Sequence, residues 1–296
     1  MRIVSLLPSA TEILFALGRG DHVVGVTFEC DHPPEARSRR IVSTSALPAG
    51  LAPGEIDALV RERLARGEDL YHLDAGALAD IGPDLIVTQD LCAVCAVDLS
   101  EVEDALAHLG CKALVLTLDP MRLDEVIASV GTVGAATGRE AAAAELMSSL
   151  RAQLAALAAR LDGARTRRAL VLEWTDPPFS AGHWVPDMVA AAGGAEVLGR
   201  AGERSRAISW DQVLASGAEV VIVAPCGYHL DGALSLAEKL VGAGSVSPGA
   251  EVWAVDADAF VVRPGPRVVE GCEMLARVLH PKRCGEPDLA RARRVA

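Results

Sequence analysis

The feature that most constrains the fold is the alternation of short apolar segments with longer helical ones. Residues 3–7, 84–88, 169–173 and 220–223 are short segments rich in Val, Ile and Leu. The segments between them carry apolar residues at spacings of three and four, as helices do. Strands that alternate with helices pair in parallel and are covered on both faces. The sequence therefore predicts an α/β fold with mainly parallel sheets.

A long helical segment divides this pattern into two Rossmann-like lobes. Leu146, Leu150, Leu154, Leu157 and Leu161 form one apolar stripe, which predicts a single long α-helix. A chain of 296 residues is also longer than one hydrophobic core usually supports. We expect an N-terminal α/β lobe over residues 1–121, a linking helix over 122–162, a C-terminal α/β lobe over 163–281 and a charged, mobile tail over 282–296.

Charge and hydropathy exclude two classes of partner. The formal net charge is −12, whereas a nucleic-acid-binding protein needs a basic face to replace the counterions of phosphates. No apolar segment reaches the roughly 18 residues that span a bilayer. We expect neither nucleic-acid binding nor a membrane span.

The N-terminus and the cysteines bear on location. Residues 1–8 are interpreted as the first strand, because they lack the long apolar region and small-residue cleavage site of a secretory signal. Seven cysteines, an odd number, do not form a disulfide framework. These features favour the cytoplasm. A periplasmic or extracellular location would apply if a signal peptide had been removed.

One loop concentrates aromatic and ionisable side chains. Residues 173–184 contain Trp174, Phe179, His183 and Trp184, directly after a predicted strand. Such a loop suits contact with a ligand. The alternative is that both tryptophans pack the loop and that His183 is solvated. Arg263, in an Arg-Pro-Gly-Pro-Arg turn, is a further candidate for an anionic ligand group, or else caps the last helix.

Several segments in order resemble the cobalamin-type periplasmic solute-binding proteins, a class III binding-protein family in which one long helix links two lobes. The resemblance spans residues 1–281. It rests on residues 5–12 (SLLPSATE), 24–34, 83–86, 177–182, 192–194, 209–213 and 263–267 (RPGPR).

The resemblance implies a small-molecule ligand held in a cleft between the lobes, at the carboxyl ends of both sheets. It implies cobalamin or a related corrinoid as that ligand and the permease of an ABC importer as the partner. Glu29 and Gln89 are candidate ligand-binding residues of this cleft, and they stand where this family usually carries aromatic side chains. No P-loop, dinucleotide-binding glycine motif or nucleophile elbow is present, so we expect a binding protein rather than an enzyme.

The cysteines support a second hypothesis, a cytosolic thiolate metal protein or enzyme on the same scaffold. Cys92 and Cys95 form a C-x-x-C pair, and Cys30 and Cys226 follow predicted strands of the two lobes. Tyr228, close after Cys226, is a further candidate for ligand contact. Four thiolates suit Zn²⁺ or an iron–sulfur cluster. Alternatively, Cys30 and Cys226 are small apolar residues that pack at the strand ends. Cys92 and Cys95 would then carry out thiol–disulfide exchange through a reversible disulfide.

Mixed oxygen and nitrogen ligands form another candidate set. It pairs carboxylates with imidazoles, for a metal ion or for acid–base chemistry, and comprises Glu29, Asp31, His32, His183 and Asp187.

Overall fold

The computed structural model describes residues 1–89, 102, 106–107 and 112–296. The chain forms two compact units. Unit 1 comprises residues 1–120 and 128–147, and unit 2 comprises residues 121–127 and 148–296. Each unit contains one sheet with helices, as the alternating sequence pattern predicts, and the mixed α/β class is confirmed.

Unit 1 contains a sheet whose order within the described residues is β4-β3-β2-β1-β5-β6. All neighbouring strands are parallel except β4, which runs antiparallel to β3. The strands are β1 (Ile3–Ser5), β2 (Val23–Thr27), β3 (Arg40–Ser45), β4 (Tyr71–Leu73), β5 (Leu85–Thr88) and β6 (Leu114–Thr117). β1 and β5 are fully buried at the centre, which explains why their sequences are almost continuously apolar.

Three helices of unit 1 begin at residues suited to a helix start. α1 (Pro8–Ala16) and α2 (Pro53–Ala65) have proline in the first turn, where no backbone N–H is needed. In α3 (Ala75–Ile81), the Asp74 carboxylate accepts the backbone N–H of Ala77 at 2.8 Å. Leu7 is the N-cap of α1 and makes no side-chain cap.

The helical segment predicted over residues 122–162 consists of two helices, α4 (Leu123–Thr137) and α5 (Glu140–Arg160). Gly138 separates them because it adopts a left-handed φ of 63°, which stops a right-handed helix. The Arg139 guanidinium then donates to the carbonyl of Leu17 at 2.7 Å. The Leu stripe at residues 146–161 lies entirely after this break, along and just beyond α5, so it carried no sign of the break.

Unit 2 contains a sheet of order β10-β8-β7-β11-β12-β13, with β9 also paired to β7, within the described residues. β7, β11 and β12 are parallel, and β8, β10 and β13 join as antiparallel strands. The strands are β7 (Arg167–Thr175), β8 (Pro178–Ser180), β9 (Gly194–Glu196), β10 (Arg206–Ala207), β11 (Val220–Val223), β12 (Glu251–Val255) and β13 (Ala292–Arg294).

The helices of unit 2 follow these strands and cover the sheet. Ser209 and Gln212 form a capping box at the second of them, with hydrogen bonds of 3.2 and 2.8 Å. The helices are α6 (Val185–Ala191), α7 (Trp210–Ala215), α8 (Leu230–Gly242), α9 (Ala257–Phe260), α10 (Val268–Leu279) and α11 (Pro281–Cys284).

The expectation of a mobile charged tail over residues 282–296 is wrong. β13 pairs antiparallel with β12, and the Arg291 guanidinium lies 2.9 Å from the Glu270 carboxylate. The arginines make the segment look solvated in sequence, but backbone pairing and carboxylate contacts hold it. Among the described residues, no helix combines the length and the apolarity that crossing a membrane requires.

Candidate ligand-binding site

The carboxyl ends of three parallel strands meet at one edge of the unit 2 sheet. β7 ends at Thr175, β11 at Val223 and β12 at Val255. Parallel sheets bind ligands at this edge, because helices cover the faces while the loops after the strands stay open. Trp174, at the end of β7, and Tyr228, in the loop after β11, lie here.

Trp174 and Tyr228 form an aromatic pair at this edge. Their ring centroids are 5.9 Å apart and their planes meet at 65°. The indole N–H of Trp174 donates to the carbonyl of Asp176 at 3.0 Å, which fixes the ring. Tyr228 packs on the bare backbone of α8: a Cβ on Gly232 would lie 2.7 Å from its Cδ1. Both rings are only half-buried and so present apolar surface to a ligand.

Beside the aromatic pair lies a group of charged side chains. The Nδ1 atom of His229 is 3.0 Å from the Asp256 carboxylate, and its Nε2 atom is 3.7 Å from that of Asp258. Arg263 forms an ion pair with Asp258, and its side chain is only 9% exposed. This edge therefore offers both signs of charge next to flat apolar surface.

Sequence reasoning singled out Arg263 but missed His229, Asp256 and Asp258. The sequence positions of His229 and Asp256 could have identified them, because Asp256 directly follows β12 and His229 lies shortly after β11. Charged residues directly after buried parallel strands belong at the carboxyl edge of the sheet.

The loop between β7 and α6 holds the remaining unit 2 candidates. The Glu173 carboxylate, 7% exposed, accepts the backbone N–H of Gly182 at 3.0 Å and ties the loop to β7. Phe179 is half-buried and pairs in register with Trp174. Trp184 is 6% exposed and donates its indole N–H to Val261 at 2.8 Å, an arrangement that favours the packing interpretation.

His183 has an unusual backbone and an unusual environment. Its φ is 51°, a left-handed value that non-glycine residues rarely adopt. Its Nε2 atom is buried and has no hydrogen-bond partner within the described residues. Burial, with a smaller effect of Arg204, lowers the pKa of the imidazole. Residues with a strained backbone and unsatisfied polar atoms cluster at functional sites, which favours ligand contact by His183. This contact stays a prediction.

Asp187 makes a structural contact within unit 2. It accepts two hydrogen bonds from Arg122, at 2.7 and 2.8 Å, and one from the backbone N–H of Leu123 at 3.2 Å. Its carboxylate thereby caps the first turn of α4. The Asp187 hydrogen bond and charge also raise the pKa of Arg122.

Unit 1 presents mainly polar groups at the carboxyl edge of its own sheet. The Thr11 hydroxyl lies 2.8 Å from Ser5 Oγ and 3.0 Å from the Cys30 thiol. Glu29, half-buried, follows β2, and Gln89, 4% exposed, follows β5. Sequence analysis did not identify the aromatic contact in unit 1, Phe28 with Tyr71 at 6.3 Å.

Two cysteines of the thiolate hypothesis, Cys30 and Cys226, lie within the described residues. Cys92 and Cys95 lie outside the described residues. Cys30 is 3% exposed beside Thr11 in unit 1, and Cys226 is exposed after β11 in unit 2. Burial of Cys30 fits the interpretation as an apolar filler. A zinc or iron–sulfur site therefore stays a prediction.

Two relatives of known sequence match nearly the whole chain. The uncharacterized ABC transporter substrate-binding lipoprotein YvrC of Bacillus subtilis (strain 168) is 26% identical over 291 residues, which cover 95% of this chain and 80% of the relative. The cobalamin-binding protein of Halobacterium salinarum (strain ATCC 29341 / DSM 671 / R1) is 24% identical over 292 residues, which cover 94% and 69%.

Solved structures share the fold. The periplasmic vitamin B12 binding protein BtuF of Vibrio cholerae superposes with a TM-score of 0.68 at 20% identity, covering 94% of this chain and 96% of that one. The periplasmic heme-binding protein RhuT from Roseiflexus sp. RS-1 in apo form gives 0.66 at 25% identity, covering 93% and 96%. A family model described as periplasmic binding protein matches residues 3–241. The chain therefore belongs to the periplasmic binding protein family and has its class III fold.

Proposed function

We propose that this chain is the substrate-binding component of an ABC importer and that it binds a flat, metal-bearing macrocycle, a corrinoid or a heme. The aromatic pair Trp174 and Tyr228 carries the proposal. Two half-buried rings held at the carboxyl edge of β7 and β11 offer apolar surface to a planar ligand.

The charged neighbours of this pair fit the periphery of such a ligand. Corrinoids carry amide groups and hemes carry propionates, so both need polar partners around a flat apolar centre. Arg263, already ion-paired with Asp258, and His229, beside Asp256, supply donors and acceptors within the same unit. The relatives whose names include cobalamin, vitamin B12 and heme support this ligand class.

The full chain is expected to bind at least one of cyanocobalamin, dicyanocobinamide and hemin. Replacing Trp174 or Tyr228 by Ala should weaken that binding about tenfold, or about 1.4 kcal/mol, because each change removes aromatic surface from the contact. Visible absorbance and calorimetric titration measure the affinity, and the absorbance also identifies which macrocycle binds.

Two variants control this experiment. Tyr228→Phe keeps the ring and should bind within about twofold of the unmodified chain, since the hydroxyl is not the contact surface. Leu214→Ala removes an exposed apolar side chain from α7 and should have no effect on binding. No binding of any of the three ligands at about 0.1 mM would reject the proposal.

The partner and the location follow from the same proposal. A substrate-binding component delivers its ligand to a permease from outside the cytoplasm. The proposed location is therefore outside the cytoplasm, in place of the cytoplasmic location expected from the N-terminal sequence. The lipoprotein name of the Bacillus subtilis relative and the periplasmic names of the structural relatives support this placement. Fractionation of cells that express the native gene tests it, and recovery in the cytoplasmic fraction alone would contradict it.

A further inference from the structure

A cavity lies at the end of the unit 2 sheet opposite the aromatic pair. It has a volume of about 530 Å³, and its lining comes from the segment before and at the start of β7 and from the segment that runs from the end of α10 into α11. Arg167 is the first residue of β7 and Thr175 the last. A strand rises about 3.3 Å per residue, so roughly 26 Å separates the two ends. This cavity is therefore distinct from the aromatic edge.

The cavity combines an apolar surface with a basic rim. Ala164, Leu279 and Pro281 supply the apolar part. The rim consists of four cationic side chains and one imidazole: Arg165, Arg167, Lys282, Arg283 and His280. No carboxylate side chain contributes to the lining. The chain has a net charge of −12, so this cluster of basic side chains is opposite in sign to the protein as a whole.

Two of the four cations are neutralised by carboxylates outside the lining. Arg165 lies 2.5 Å from Glu219, and Arg167 lies 2.7 Å from Glu251. Arg283 donates to the backbone carbonyl of Asp162 at 2.7 Å, and it forms no ion pair with a carboxylate among the residues that the structure describes. Within the described part of the chain, no carboxylate lies in ion-pair range of the exposed Lys282. Two positive charges therefore remain at the rim.

The chemistry of these groups selects the kind of ligand. Arginine presents a fork of N–H donors that matches the oxygens of a phosphate, and lysine adds a mobile point charge. Arg167 is held by its ion pair with Glu251 and is only 18% exposed, so part of the rim is preorganised. The volume accepts a phosphate group together with a small organic part, which the apolar surface can contact.

We propose that this cavity binds a phosphate-bearing ligand through Lys282 and Arg283. The phosphate comes either from a soluble phosphate ester or from the headgroup of an anionic phospholipid. The double variant Lys282→Ala/Arg283→Ala removes both uncompensated charges. Lys239→Ala, which removes an exposed lysine from α8, is the matched control.

The test titrates the full chain with inorganic phosphate and with glycerol 3-phosphate at constant ionic strength, because salt screens exposed charges. A parallel arm sediments the chain with phosphatidylglycerol vesicles and with phosphatidylcholine vesicles. Saturable binding that falls at least about tenfold in the double variant and less than about twofold in Lys239→Ala supports the proposal. Binding to phosphate alone identifies a soluble ligand, and sedimentation with phosphatidylglycerol alone identifies a lipid.

Two results would overturn the proposal. One is the absence of saturable binding in every arm. The other is equal binding by the double variant and the unmodified chain. Urea unfolding of each variant, followed by tryptophan fluorescence, establishes that a loss of binding is not a loss of folding. Corrinoid or heme binding, measured on the same preparation, tests the importer function separately.

Discussion

Replacing Glu196 by Ala is expected to destabilise unit 2 by about 3 kcal/mol or more. The Glu196 carboxylate accepts four backbone N–H groups. Oε1 accepts those of Val197, Leu198 and Gly199 at 3.1 to 3.2 Å, and Oε2 accepts that of Val171 in β7 at 2.9 Å. Alanine leaves these donors without their acceptor, and a buried donor without an acceptor costs about 1–3 kcal/mol.

The measurement is a urea unfolding curve followed by tryptophan fluorescence. The four tryptophans, Trp174, Trp184, Trp210 and Trp253, are all in unit 2, so the signal reports that unit. Glu203→Ala is the control, because its side chain is exposed and makes only a 3.6 Å surface ion pair with Arg200. It should change stability by less than about 0.5 kcal/mol. Equal effects of the two variants would contradict the assignment.

The same carboxyl group should make stability depend on pH. Burial raises the pKa of Glu196 from 4.5 to about 7, although the four N–H donors favour the charged form. Between these values the folded state keeps a proton that the unfolded state releases. The contribution of Glu196 to the free energy of unfolding is therefore complete below about pH 4.5. It is lost as the pH rises through about 7, by about 3 kcal/mol in total.

Glu196→Gln tests this dependence, because glutamine has no proton to release. The decrease in unfolding free energy between pH 5 and pH 8, at about those two values, should be smaller in the variant than in the unmodified chain. Glutamine also brings an NH₂ group against the N–H of Val171, so the variant should be less stable than the unmodified chain at about pH 5, where Glu196 is protonated. Identical pH profiles would exclude Glu196 as the titrating group.

Replacing Gly271 by Ala is expected to cost about 3 kcal/mol. A Cβ at this position in α10 would lie 2.0 Å from the carbonyl oxygen of Phe260 and 2.7 Å from Cε of Met188. The Phe260 contact is with backbone, which cannot move aside as a side-chain end can. Alanine favours a helix over glycine by about 1 kcal/mol, but forced displacement of packed backbone outweighs this gain.

The displacement should also reach the candidate ligand site. Phe260 ends α9, whose first turn contains Asp258, the ion-pair partner of Arg263. We therefore expect weaker binding of the macrocycle as well as a lower urea midpoint. Gly242→Ala in α8 is the matched control, because no atom lies within 4 Å of its added Cβ. That variant should be neutral or slightly stabilised, and a loss like that of Gly271→Ala would contradict the steric explanation.

The central strands could be predicted from sequence, whereas the edge strands could not. β1, β5 and β11 are buried on both faces, so burial imposes the apolar sequence from which they were recognised. β10 has two exposed residues and β13 ends in two arginines. Such edge strands depend on pairing with a neighbour, which leaves little trace in their own composition.

The candidate site was predictable in part for a similar reason. Trp174 and Tyr228 stood out because aromatic residues are rare in this chain, at 3%. His229 and Asp256 did not, because single charged residues are common in loops. Their proximity depends on β11 and β12 being neighbours in the sheet, which follows from topology and not from local sequence.

The antiparallel strand β13 also affects the order in which the protein can fold during synthesis. β12 is complete once residue 255 has been made, but it gains its last partner only when residues 292–294 appear. Ribosomes add about 5–20 residues per second, so roughly 2 to 8 s separate these events. During that interval the outer edge of β12 lacks its partner, and the nascent chain is open to incorrect strand pairing or to chaperone binding.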